Sequence, residues 1–528
     1  MHHIILNTST NVDTYRRTTH RGPTRVRSTP VETTALPATS SDLNHHDDAA
    51  LPVAVIGAGP IGLATAAHLL ERGVAVVVLE AGPAVGATVS QWGHTKTFST
   101  WQYNIDAAAR RLLDSAGWEA PNPKRLPTGA DLVEQYLAPL AATGPIADIL
   151  HLNHRVTGVS RAGADGRGLD KTHSRGRDAS PFLVRIAATT PEPRGNAAGP
   201  GAGVVVKNLY ARAVVDASGT WEQPNPVGPA GLQATGEREA RAAGLITSAL
   251  PDVLGADRER FAGRHTLVVG AGHSAANTLL LLGRLADQQP GTRVTWALRS
   301  ADPERVYGGG DKDGLPARGA LGMRLKNMVE TGRIELRTSF SVAETEPAGG
   351  RLTVRGRTPA GGAELTVDAL VPATGFRPDL DVLRELRLEL DPAVEAPREL
   401  GPLIDPEFHS CGTVEPHGAR LLAHPEKDFY IVGMKSYGRA PTFLMATGYE
   451  QVRSIAAALA GDPASADRLE LELPETGVCS AGAGSNCDVP APAAEATDGG
   501  GADSCCTAPE PALIGIPTGL AHGRQGPA

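Results

Sequence analysis

Two glycine-rich runs are the residues of this chain best suited to chemistry: "VAVIGAGPIG" at 53–62 and "TLVVGAGHSA" at 266–275. In the first, Gly57, Gly59 and Gly62, with Ala58 and Pro60 between them, take the spacing G-x-G-x-x-G. In the second, Gly270 and Gly272 are followed by Ser274 and then by Ala275 in the third place. Such spacing grips a dinucleotide. The first glycine permits a tight turn, the second lets a pyrophosphate reach the backbone, and the third seats a helix against its strand. The helix behind the loop turns its N-terminal amides, and the positive end of its dipole, towards the phosphates.

The two runs differ in the residue at their far corner. Glu80 stands 23 residues beyond Gly57, at the end of the apolar stretch "VAVVVL". A carboxylate there accepts hydrogen bonds from an adenosine ribose and repels a 2′-phosphate, so the first site suits FAD or NAD. The matching corner of the second unit, after "RVTWAL", holds Arg299. A guanidinium can pair with a 2′-phosphate, which predicts NADPH; the other reading of Arg299 is a solvated residue at a strand end. Two dinucleotides that exchange a hydride need separate grips and a shared junction, and FAD with NADPH answers that need.

The elements that must carry these loops are legible around them. "VAVI" and "TLVV" read as fully buried strands, and "GLATAAHLLER" and "SAANTLLLLGRL" as the helices behind the loops, with Gly73 placed to end the first. The run "LPVAVIGAGPIGLATAAHLL" has nearly the length and apolarity of a membrane span. Its glycines and proline fall together at a turn, with β-branched residues before it and helix formers after it, so strand, turn and helix explain it better.

At 528 residues the chain exceeds what one core serves, so two globular domains with unstructured ends are expected. Residues 1–50 lack an apolar period and read as disordered, or as a start assigned too early. No apolar run follows a basic start, so export is unsupported. The five cysteines are an odd number, and four of them fall in the last 50 residues, unlike a secreted disulfide scaffold. A cytoplasmic location is expected. A net charge of −8 brings no general attraction to nucleic acid or anionic membrane, which leaves a small-molecule substrate as the partner and the oligomeric state open.

With "VVDASGTWEQPNP" between the loops and "LVPATGFRPD" after the second, the order of motifs resembles the two-dinucleotide-binding-domain flavoproteins, particularly the flavin-containing monooxygenase branch, over roughly residues 51–460. The resemblance implies an α/β fold of two Rossmann-like domains. The FAD-binding domain is discontinuous, at 51–225 and 371–470, and the NADPH-binding domain at 226–370 is inserted into it. It implies that Ala217, Ser218 and Gly219 mark the first crossing and Ala373, Thr374 and Gly375 the second. Gly433 would sit in the turn of the closing flavin segment, ahead of a helix aimed at the ring. Two positions depart from the patterns. Met434 stands where thioredoxin-type reductases have Asp, and Leu267 stands where the monooxygenase linker F-x-G-x-x-x-H, begun by Phe261 and Gly263, has its histidine; His265 is two residues early.

The activity so implied is NADPH-dependent reduction of FAD, followed by oxygenation of a small soft nucleophile such as sulfur, nitrogen or arsenic. The cofactor supplies the reactive atom, and no catalytic side chain is singled out. The alternatives are a flavin reductase, a metalloid-handling protein using the C-terminal cysteines, and a nucleotide sensor without turnover. Gln91, Trp92, His94, Phe98, Trp101 and Tyr103 form either a wall near the flavin, with Trp92 as a cofactor contact, or a core patch.

"RVTGVSR", "PFLVRIAA" and "GVVVKNLYARAVVDA" read as a small antiparallel sheet, with a proline- and glycine-rich loop at 189–203. The stretch 307–322 reads as a substrate- or nicotinamide-side loop, with simple disorder as the other reading. Past the folded part, 471–528 reads as a disordered cysteine-containing tail, in which adjacent Cys505 and Cys506 could ligate a soft metal or metalloid, an arrangement that resembles the tails of mercuric reductases, which carry a thiophilic ion. No C-x-x-C or C-x-x-x-x-C occurs in 51–460, where Cys411 is the only thiol and reads as packing.

Overall fold

The computed structural model describes residues 51–163, 168–189, 204–308, 316–406, 416–441 and 443–471. Expectations for residues 1–50, for nearly all of the 189–203 loop and for the cysteines, Cys411, Cys505 and Cys506 included, lie outside the described residues.

The first glycine run is a strand, turn and helix. Val53–Ile56 is a strand buried at all four positions, and Pro60–Glu71 is the helix behind the loop, with proline in its first turn, where a missing N–H costs nothing. The chain leaves that helix through Gly73 at φ +66°, a conformation that favours glycine, while Val74 donates its N–H to the Leu69 carbonyl at 3.0 Å. It returns as the strand Val76–Leu79, parallel to the first and in register from Val53 opposite Val76 to Ile56 opposite Leu79.

Five parallel strands make this sheet, in the order Phe429–Ile431, Ala213–Asp216, Val53–Ile56, Val76–Leu79 and Leu150–His151. A second parallel sheet runs Glu335–Arg337, Arg293–Ala297, His265–Val269 and Ala369–Pro372. All its strands fall in sequence between Asp216 and Phe429, so the first sheet is interrupted by the second and resumes after it.

Each parallel sheet is covered on both faces, which is why its strands are continuous runs of Val, Ala, Ile and Leu. On the first sheet, Val53, Val55, Val76, Val78 and Val215 share a core with the helices Pro60–Glu71 and Met445–Leu459. Ala54, Ile56, Val77, Leu79 and Val214 face the antiparallel sheet of Gly168–Leu169, His154–Ala162, Phe182–Thr189 and Val204–Ala211. The second sheet repeats the plan. Val268, Val294 and Trp296 pack on the helices His273–Gln288 and Pro316–Glu330, and Leu267, Val269 and Leu370 pack on the antiparallel strands Ser341–Ala348, Arg351–Thr358 and Gly361–Val367.

Three local expectations are revised. The second nucleotide helix runs on through Gln288, because "ADQ" continues it until Pro290 forces the preceding residue into an extended conformation. "GVVVKNLYARAVVDA" divides at Arg212: Val204–Ala211 joins the antiparallel sheet and Ala213–Asp216 the parallel one. The loop expected at 307–322 is shorter, since the helix Pro316–Glu330 begins inside it with proline in its first turn.

Candidate dinucleotide sites

The glycines of the first loop carry three distinct geometries. Gly57 has φ +97°, and a Cβ there would stand 2.9 Å from the Ala217 carbonyl oxygen. Gly62 lies so close to the turn that a Cβ would be 1.9 Å from the Gly57 oxygen. At Gly59 a Cβ would meet nothing within 4 Å, so the space above its backbone is open. The second loop matches: Gly270 has φ +137° with a would-be Cβ 2.0 Å from the Ala373 oxygen, Gly272 faces open space, and Ala275 is buried in the third place. Ser274 sits in the first turn of the helix that follows.

Glu80 is held before any ligand arrives. One carboxylate oxygen accepts the Ala58 N–H at 2.7 Å and the other accepts the Gly82 N–H at 2.7 Å. The carboxylate is thereby fixed beside the glycine loop, and each oxygen retains a lone pair for a ribose hydroxyl. Arg299 is its opposite in every respect. It is exposed, follows the buried Leu298 just past the strand Arg293–Ala297, and makes no ion pair or hydrogen bond among the described residues.

The two crossings lie against each other. Ala217 donates its N–H to the Ile56 carbonyl, and Gly219 and Gly375 both take positive φ, at +70° and +84°. Thr374 donates its hydroxyl to the Asn225 carbonyl at 2.7 Å, the Asn225 N–H reaches the Gly375 carbonyl at 2.9 Å, and Trp221 stacks on Phe376 with ring centroids 4.9 Å apart. Thr374, expected at the cofactor, thus has its hydroxyl committed to joining the crossings.

The closing segment brings a buried cluster that nothing local in the sequence announced. Gly433, at φ +67°, packs on Ile61 in the first turn of the leading helix and donates its N–H to the Gln451 side-chain oxygen at 2.8 Å. Two residues on, the Lys435 ammonium bonds Asp216 at 2.7 Å and Ser218 at 3.1 Å, all at the carboxyl edge of the sheet. The one available signal was the acidic end of "VVD", matched to a buried strand.

The aromatic group divides. Trp101 is fully buried in the core, Trp92 packs its ring on Gly129 beside the same core, and Phe98 reaches the other unit, 4.9 Å from the ring of His273. Within this segment His94 Nε2, Thr100 Oγ1 and Trp101 Nε1 are buried without a partner among the described residues. His265 is buried in its strand and pairs with the Thr295 hydroxyl at 2.8 Å, so it is no linker histidine.

The residues present fit a dinucleotide in each loop. The tests are the open space at Gly59 and Gly272, which a Cβ would fill, and at the first site the preset carboxylate of Glu80. Among the described residues no group of three or more His, Cys, Asp or Glu could hold a metal ion, and no helix is long and apolar enough to cross a membrane.

The model of a family described as FAD dependent oxidoreductase matches residues 52–119, the first loop and its surroundings. No curated protein matches the chain. Among solved structures, the bacillithiol disulfide reductase of Bacillus cereus is similar at a TM-score of 0.54 and 18% identity, covering 78% of this chain and 99% of that one. The two chains share one fold. The corresponding Staphylococcus aureus reductase shares it as well, at a TM-score of 0.51 and 15% identity, over 78% of this chain and 98% of its own. So does the FAD-bound cadaverine monooxygenase of the desferrioxamine pathway from Erwinia amylovora, at a TM-score of 0.51 and 13% identity, over 81% and 98%.

Proposed function

We propose that this chain is an NADPH-dependent FAD oxidoreductase of the monooxygenase type, acting on a small soft nucleophile. The observation that supports it is the contrast between the two corners: a buried, doubly hydrogen-bonded Glu80 at one, and at the other an exposed Arg299 that is unpaired among the described residues.

In this reading the FAD-binding part spans 51–225 and 371–470 and the NADPH-binding part 226–370. Gly57, Ala58, Gly59, Pro60 and Gly62 cradle the FAD pyrophosphate, Glu80 accepts from its ribose, and Ala217, Ser218, Gly219, Thr374, Gly375, Gly433 and Trp92 border its path. Gly270, Gly272, Ser274 and Ala275 do the same for NADPH, and Arg299 pairs with the 2′-phosphate. Bound FAD would accept the hydride and supply the oxygen chemistry. The chain's own part is to orient both coenzymes and to keep their charges apart. Cys505 and Cys506 are assigned no step. A disulfide route through a fixed dithiol has little support, because 51–460 holds one thiol.

The test has two arms. Arg299→Ala should weaken NADPH by about tenfold or more, the worth of a charge-assisted pair, and leave NADH nearly unchanged; equal effects on both coenzymes end the assignment. Anaerobic NADPH should bleach the bound FAD once and stop, and air should restore turnover with a soft nucleophile. Sustained anaerobic turnover with a disulfide acceptor would identify a reductase instead.

A further inference from the structure

Three basic side chains gather where the edge of the first parallel sheet meets the edge of the antiparallel sheet that covers it. His151 ends the outermost parallel strand, Leu150–His151. Leu150 and Leu152 pack on the helical core, so His151, between them, projects from the opposite face, towards the antiparallel sheet. His154 opens the next strand, and the two rings lie with centroids 5.5 Å apart. Lys207 comes from Val204–Ala211, the last strand of the antiparallel sheet. It pairs with Ile186, which pairs in turn with Val156, and these two are buried against the first sheet. Directly paired residues share a face, so Lys207 points the same way. Val205, Ala188 and His154 form the adjacent row on that face.

The cluster is open to solvent and short of acid. His151 and His154 are half-buried and Lys207 is exposed. Val205 is 42% exposed while Ala188 in its row is buried, so the space between the two layers opens at this edge. Burial pushes His151 down from its ordinary value, and His154 and Lys207 push it further, with no carboxylate among the described residues acting against them. The acids nearby are taken. Glu80 holds the Ala58 and Gly82 N–H groups, and Glu222 pairs with Arg155, which leaves its strand on the face opposite His154. Neither the His151 ring nor the Lys207 ammonium makes a hydrogen bond or ion pair among the described residues. A chain with 58 acidic and 50 basic residues has carboxylates to spare, yet none is placed here.

The backbone holds the two rings in position. The Glu80 N–H reaches the His151 carbonyl at 2.9 Å, the His154 N–H reaches the Glu80 carbonyl at 2.7 Å, and the Asn153 N–H reaches the Gly82 carbonyl at 2.9 Å. His154 Nδ1 donates to the Leu152 carbonyl at 2.7 Å, which leaves Nε2 as the nitrogen available to a ligand.

We propose that His151, His154 and Lys207 form a binding site for a tetrahedral oxyanion of the phosphate or sulfate class, separate from both dinucleotide loops. The ligand supplies the missing negative charge and accepts N–H donors from all three side chains. Binding draws protons onto the imidazoles, so affinity rises from pH 8 to pH 5.5. The site does not depend on the FAD reading, and its test is readable whether or not the protein takes up flavin.

Sulfate is the probe, because it keeps both charges over this range and any pH effect then belongs to the protein. Full-length protein is titrated calorimetrically with sodium sulfate at constant ionic strength. The wild type should bind about tenfold or more tighter at pH 5.5 than at pH 8. Lys207→Met should weaken binding about tenfold or more, and the paired substitution His151→Gln with His154→Gln should remove the pH effect. Equal dissociation constants in the wild type and Lys207→Met, or in the wild type at the two pH values, mean an adventitious ion only and overturn the proposal. So does a wild type that takes up no sulfate at pH 5.5. Protein loaded with FAD should bind sulfate as tightly as apoprotein does; displacement of sulfate by FAD assigns the cluster to the first dinucleotide site and overturns its separateness. Competition by inorganic phosphate against glycerol phosphate then tells a free anion from a phosphate ester, and failure of both to displace sulfate overturns the phosphate class.

Discussion

Gly59 and Gly62 are three residues apart in one loop, yet adding the same methyl group to each should do opposite things. Gly59 has φ −81° and ψ −174°, extended backbone open to any residue, and its Cβ would meet nothing within 4 Å. Gly59→Ala should therefore leave the apoprotein as stable as before, or more stable by about 0.4–1 kcal/mol through the stiffer unfolded chain. The methyl would stand where the pyrophosphate must approach the backbone. Each charge-assisted hydrogen bond lost there is worth about 1.5–3 kcal/mol, so FAD should bind about ten- to hundredfold more weakly.

Gly62→Ala places its methyl 1.9 Å from the Gly57 oxygen and 3.0 Å from the Gly57 carbonyl carbon, backbone atoms with no rotamer to escape into. Overpacking of this kind costs about 1–3 kcal/mol or more, and it is felt with no cofactor present. Urea unfolding of the two apoproteins, beside FAD titration, separates the effects. Wild-type FAD affinity in Gly59→Ala would refute the cradle, and unaltered apo stability in Gly62→Ala would refute the packing argument.

Two further outcomes are expected. Burial pushes His424 down from the usual 6.5 to about 4, with the Glu389 N–H bonding its Nδ1 and its Nε2 without a partner among the described residues. The unfolded chain binds the proton more readily, so this contribution is complete above pH 6.5 and is lost as pH falls towards 4, by about 3 kcal/mol in all. In His424→Gln the urea midpoint should fall less between pH 7 and pH 4.5 than in the wild type, and an identical fall would contradict the assignment. The second outcome concerns Glu426, whose carboxylate receives the buried guanidiniums of Arg161 at 2.8 Å and Arg177 at 2.8 Å together with the Arg387 N–H. Glu426→Gln leaves two cations facing a neutral amide and should cost about 3–5 kcal/mol in chemical denaturation; a loss below 1 kcal/mol would show that the arginines find other partners.

What the sequence disclosed was local. Gly57, Gly59 and Gly62 declare their turn by spacing, the strand before them by β-branched residues and the helix behind them by alanine and leucine, so both strand–turn–helix units were readable at once. Glu80 and Arg299 were readable as corners because each ends an apolar run. The Lys435–Asp216 pair was not, since its partners lie 219 residues apart and neither residue type signals burial. Nor was the division at Arg212, where both flanking strands have the same composition and only their neighbours in space differ. Trp101 was ambiguous between core and site for a related reason: an aromatic ring looks the same in a sequence whichever it faces.

The paired crossings limit how the molecule can move. Two separate tethers would let one nucleotide-binding half slide, tilt or swing away from the other. Here the tethers are fastened side by side, Thr374 and Gly375 on Asn225 and Trp221 on Phe376. Sideways sliding of one half past the other must therefore break the Thr374–Asn225 and Asn225–Gly375 hydrogen bonds and part the Trp221–Phe376 stack, whereas a twist about the line of the ribbon can leave all three in place.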